Sequence, residues 1–114
     1  MNILYKLNKF MNVKISGHSM TPLINHGDWI LVNLNIEPDN LKANDIILFE
    51  DPVNNDLLIK RIKSIKAKTD KEFFVIGDNT HDSYDSRKFG YIKKESIIGT
   101  PVLRYWPLNQ FRKL

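Results

Sequence analysis

The chain of 114 residues contains no cysteine, which removes disulfides, thiolate metal sites and a cysteine nucleophile together and leaves the redox compartment open. It has no stretch near the roughly 18 consecutive apolar residues that a membrane-spanning helix requires. No repeat, low-complexity tract or linker divides it, so residues 1–114 are expected to form one domain with a single modest core. Charge of one sign is also scarce: 17 Lys and Arg are interleaved with 13 acids for a formal net charge of +4. That balance suits solubility or weak attraction to anionic surfaces, whereas a nucleic-acid groove calls for a tighter basic cluster.

What is present is strand-like. After the opening segment come short apolar runs rich in β-branched and aromatic residues, "NVKIS", "DWILVN", "DIILFE", "LLIKRIKSI", "EFFVIG" and "IIGTPVLRYW", each bounded by Gly, Pro, Asn or Asp. This pattern predicts a mainly β fold. Gly27 is placed for a positive φ before "DWILVN", Asn44 for a similar turn, and Asn54-Asn55 for a hairpin loop. One run is ambiguous: Ile59, Ile62 and Ile65 recur every three residues, which fits a helix face as well as a bulged strand, and the β-branched content decides for a strand. At the N-terminus Ile3, Leu4, Leu7, Phe10 and Met11 fit one face of a short helix over residues 1–12, and Lys6 and Lys9 beside that face would allow peripheral contact with a membrane surface. This segment lacks the continuous apolar core and small-residue cleavage site of a signal peptide, so it is expected to be retained. A cytoplasmic chain, peripheral at a membrane or free of one, is the corresponding expectation for location.

Three segments carry reactive groups. In "SGHSMTPLINHGDW" Ser19 stands on a short loop; a serine hydroxyl becomes a nucleophile only when a base takes its proton, and the plain alternative is a turn serine. In "LLIKRI" Lys60 is flanked by Leu57, Leu58, Ile59 and Ile62. Burial there would lower its pKa from about 10.4 and make the neutral amine a candidate base, although Lys60 could also extend its amine to water. In "GDNTHDSYDSRKFG" Asp78 and Asn79 can close turns, Asp85 and Arg87 can pair, and Ser83 or Ser86 can steer a neighbouring base.

Taken in order, these three motifs resemble the signal peptidase I family of Ser-Lys proteases over roughly residues 13–107. The resemblance implies the signal-peptidase or repressor-type β-fold, with Ser19 as nucleophile and Lys60 as general base. It also implies that Ser83 supports the lysine, that Asp85 and Arg87 form a structural ion pair, and that neither cofactor nor metal is used. Gly17 occupies the position where many family members carry an oxyanion-binding hydroxyl, so oxyanion binding would fall to the backbone N–H of Ser19 and another backbone donor. An extended precursor segment would add as a strand between "KISGHS" and "LLIK". Ile15, Met20, Leu23, Leu58 and Ile59 would line an apolar pocket favouring small residues, with Gly17 and His18 at its rim. The family's usual membrane anchor and large second domain are not expected within these 114 residues. That short build and the ending Arg104-Tyr105-Trp106-Pro107 resemble the nickel-type superoxide dismutase maturation proteases, which implies removal of a short N-terminal propeptide from that precursor.

The alternatives are cleavage of secreted precursors in general, a self-cleaving repressor-type protease, and a non-catalytic basic β-barrel. The barrel would use residues 60–71 as a salt-sensitive contact strip and would be indifferent to Ser19→Ala. His18, His26 and His81 lie in separate segments and are expected at turns or the surface rather than on a metal.

Overall fold

All six apolar runs become strands. The computed structural model describes residues 9–67 and 69–114, which form β1 (Phe10–Lys14), β2 (Trp29–Asn33), β3 (Ile46–Glu50), β4 (Leu57–Ala67), β5 (Lys71–Ile76), β6 (Ile92–Lys93), β7 (Ile97–Trp106) and β8 (Arg112–Lys113). A one-turn helix, α1 (Ser86–Phe89), interrupts the polar segment before β6. Every pairing is antiparallel, in the order β1-β2-β7-β3-β4-β5-β6, with β8 on β7. The fold is therefore mainly β, a curled antiparallel sheet.

Strand β7 joins the two halves of this sheet. Its first residues pair with β3 and its later ones with β2, and Gly99 stands at the change of partner. A Cβ at Gly99 would lie 2.5 Å from the Asn33 carbonyl oxygen and 2.8 Å from Val32 Cγ1, so only glycine lets β2 and β7 approach this closely.

Two apolar clusters flank the sheet. Ile47 and Phe49 of β3 join Ile62, Phe73, Val75 and Ile92 in one, while Leu48 joins Met20, Ile24, Ile30, Val32 and Ile59 in the other. A strand buried on both faces reads as a continuous apolar run, which is why "IILF" shows no alternation. The three-residue period of β4 also has a local cause. Ile62 pairs with Val75 and Ser64 with Phe74, leaving Lys63 as an extra residue in a bulge. The bulge brings Ile62 and Ile65 to the same cluster, while Ile59 goes to the other.

The turn residues behave as expected, with positive φ at Gly27, Asn44 and Asn55. The N-terminal helix requires correction. Residues 1–8 lie outside the described residues, but residues 10–12, including Phe10 and Met11, belong to β1 and pair with β2. Ladder hydrogen bonds to β2 override a helical spacing that is only three turns long.

Candidate functional site

Ser19 sits in the connection between β1 and β2, which is anchored from below by its own apolar residues. Met20 and Ile24 are 3% and 1% exposed in the second cluster, and Ile24 N–H donates to the Met20 carbonyl at 3.0 Å. The His18 carbonyl accepts from the N–H and the hydroxyl of Thr21. From above, the start of the polar segment holds the same residues: Asn79 N–H donates to the Ser19 carbonyl at 2.8 Å, Asn79 Nδ2 to the His18 carbonyl at 3.2 Å, and Asp78 N–H contacts Met20 Sδ at 3.4 Å.

Lys60 enters from β4, where it pairs with Ile47 of β3. Its side chain is buried, 4% exposed, and Nζ lies 2.6 Å from Ser19 Oγ. Burial pushes the Lys60 pKa below its ordinary 10.5, with the negative charge of Asp85 opposing the shift. The neighbouring Arg61 turns to Asp78, donating to both carboxylate oxygens at 2.8 and 2.9 Å and to the Asn44 carbonyl at 2.8 Å. Adjacent residues of one strand thus take two tasks: Lys60 meets the serine, and Arg61 fixes the segment that clamps the serine's backbone.

Asp85 organises the rest of that segment. It is fully buried and caps α1, accepting from the N–H of Arg87 at 3.1 Å, from the Arg87 guanidinium at 2.9 and 2.8 Å, and from Gly77 N–H at 3.0 Å. Burial alone would raise the Asp85 pKa; the Arg87 guanidinium and Gly77 N–H outweigh it and hold the carboxyl well below the usual carboxylate range. The expected ion pair is therefore present, and Ser86, whose hydroxyl accepts from Val75 N–H at 2.9 Å, ties α1 to β5.

The remaining expected residues separate into two groups. Ile15, Gly17, Met20, Leu58 and Ile59 line a groove of about 140 Å³ that also contains Ser19 and Lys60. His18 and Leu23 are not part of its lining: His18 is exposed, and Leu23 packs against the second cluster because the backbone turns between them. Ser83 forms no hydrogen bond with the lysine; its buried hydroxyl lies toward Asp85, whose carboxyl it helps to hold below the usual range. Asp78, expected to close a turn, is instead the partner of Arg61.

Three features were not anticipated from the sequence. Gly77 is squeezed between Ser83 and the backbone of Ser19, where a Cβ would lie 2.5 Å from the Ser19 carbonyl oxygen. Arg104 of β7 donates to the carbonyls of Leu23 and Gln110 and pairs with buried Asp28, fastening the far end of the loop that carries Ser19. His26 accepts at Nδ1 from Gly17 N–H at 3.0 Å. An arginine in an otherwise apolar strand and an acid after Gly27 were the available signals for the Asp28–Arg104 pair.

A serine hydroxyl in contact with a desolvated amine, at the floor of a groove beside β1, the last strand in the sheet order among the described residues, has the chemistry of a serine hydrolase whose base is lysine. The chain matches the family described as signal peptidase, peptidase S26, over residues 1–69 and 64–106, and it belongs to that family. It is similar to signal peptidase I of Bacillus caldolyticus, at 29% identity over an alignment covering 90% of this chain and 82% of that protein. Similarity to mitochondrial inner membrane protease subunit 2 of Saccharomyces cerevisiae reaches 32%, covering 86% of this chain and 69% of that one. A shorter match, 48% identical, covers 37% of this chain and 21% of signal peptidase I of Leptolyngbya laminosa. The chain is accordingly a serine endopeptidase of the signal peptidase I type that acts on protein substrates. Among the described residues no helix is long and apolar enough to cross a membrane.

Proposed function

We propose that residues 1–114 act as one catalytic domain that removes an N-terminal segment from precursor proteins, with Ser19 as nucleophile and Lys60 as general base. The 2.6 Å approach of Lys60 Nζ to Ser19 Oγ in a buried setting carries this reading. Neutral Lys60 takes the proton as Ser19 attacks the scissile carbonyl, and the protonated amine then returns it to the leaving amine. Water, deprotonated by the same lysine, releases the acyl group. Gly17 has no side chain to offer the oxyanion, so the Ser19 N–H is assigned that role with a second backbone donor. Ser83 is assigned to orient the lysine during turnover, since its hydroxyl is buried beside Gly77, which also faces the Ser19 carbonyl oxygen.

The groove between residues 13–17 and 57–60 receives the substrate as an added strand, and its apolar lining suits small side chains near the cut. The ending Arg104-Tyr105-Trp106-Pro107 favours one particular substrate, the propeptide of a nickel-type superoxide dismutase. Work at a cytoplasmic membrane surface, with residues 1–12 as the contact, goes with either substrate. The test incubates the protein and its Ser19→Ala variant with a secretory precursor and, separately, with a nickel-type superoxide dismutase precursor, and locates cuts by intact mass. Cleavage of either by the wild type alone supports the dyad and tells the substrates apart. Equal cleavage by Ser19→Ala, or no cleavage of both precursors, overturns the proposal.

A further inference from the structure

The β1–β2 ladder continues past Lys14 toward the nucleophile. Ile15 N–H donates to the Asp28 carbonyl and Gly27 N–H to the Ile15 carbonyl, both at 2.8 Å. The next donor on that side is Gly17 N–H, but the chain opposite has already folded into a turn in which the Asn25 carbonyl is taken by Asp28 N–H. The imidazole of His26 closes the gap, with Nδ1 3.0 Å from Gly17 N. Gly17 has a φ of +92° and no side chain of its own to fix it, and it lies two residues before Ser19. We propose that His26 is a positioning residue for the nucleophile: by accepting at Nδ1 from Gly17 N–H, its imidazole holds Gly17, and with it the segment that presents Ser19, in register. The inference rests on the Ser-Lys reading of the site.

The chemistry follows from the direction of the bond. Accepting at Nδ1 places the ring proton on Nε2. The His18 ring centroid stands 5.7 Å from that of His26, while Asp28 is committed to Asn25 N–H and Arg104. The rung is thus separate from the buried Asp28–Arg104 anchor, which a substitution of His26 leaves in place.

Two substitutions test the hydrogen bond itself. Asn in place of His26 offers Oδ1 near the position of Nδ1, whereas Phe keeps the bulk and removes the acceptor. With a synthetic peptide spanning a secretory precursor's cleavage site, His26→Phe is expected to lower kcat/KM about five- to tenfold, the loss of one hydrogen bond, with the change in kcat rather than KM. His26→Asn is expected to restore activity to within a few-fold. In 15N spectra of the full chain, which need no substrate, the Gly17 amide should move in His26→Phe and return toward its wild-type position in His26→Asn. Equal kcat/KM for the three proteins, or a Gly17 amide indifferent to His26, would overturn the inference. Ser19→Ala run in parallel separates the two failures: an active Ser19→Ala removes the reading beneath, and an inactive one beside normal His26 variants removes only the role of His26.

Discussion

Gly77→Ala introduces one methyl group at the point where the Ser19 backbone is held. The new Cβ would stand 2.5 Å from the Ser19 carbonyl oxygen and 2.7 Å from Ser83 Cβ, and it would also strike the Ser83 hydroxyl. A carbon and a carbonyl oxygen settle at about 3.3 Å, so one partner must retreat by about 0.8 Å. Neither can do so freely. Gly77 N–H is bonded to buried Asp85, and the Ser19 carbonyl is bonded to Asn79 N–H. Moving either disturbs the 2.6 Å contact between Ser19 and Lys60. A displacement near 1 Å in a reacting group costs on the order of 100-fold in rate, and overpacking costs about 1–3 kcal/mol of stability. The assay is kcat/KM on a cleaved precursor beside a thermal melt. A Gly77→Ala protein within twofold of wild-type kcat/KM would refute the claim that contact across Gly77 sets the position of Ser19.

Lys60→Met should lower kcat/KM at least about 10³-fold, because methionine fills the space but accepts no proton. The folded-state pKa of Lys60 is depressed by burial, so between that lowered value and 10.5 the unfolded chain holds the extra proton and stability rises with pH. Lys60→Met should remove this slope and melt higher than wild type at neutral pH; unchanged alkaline dependence of Tm would contradict the burial argument. Arg104→Ala should cost about 3–5 kcal/mol by leaving the Asp28 carboxylate buried without its cation, since the two side chains are only 8% and 4% exposed. Chemical denaturation measures this, and a loss below about 1 kcal/mol would mean that the pair does not fasten the Ser19 loop.

The strands were readable because their causes are local. Alternation, β-branching and turn residues such as Gly27 and Asn44 act within a few positions, and they located β2, β3, β4, β5 and β7 closely. Ser19 and Lys60 were readable as well, since a reactive residue in a characteristic short motif keeps its neighbours in sequence. Their meeting across 41 positions was decided by tertiary structure, through the pairing of β4 with β3 and the burial of Met20 and Ile24 beneath the loop. The same holds for what the sequence misdirected. Phe10 and Met11 have helical spacing but answer to β2, Ile59 and Ile62 are parted by strand alternation while the Lys63 bulge unites Ile62 with Ile65, and Asp78 forsakes its turn for Arg61. Gly77 and His26 carry no local signal, and Arg104 only that of a charge in an apolar strand, because each acts on a segment brought to it by the order of strands. Local propensity determined which stretches are strands and which residues are reactive; close approach between distant segments, a property of packing alone, decided how they form a site.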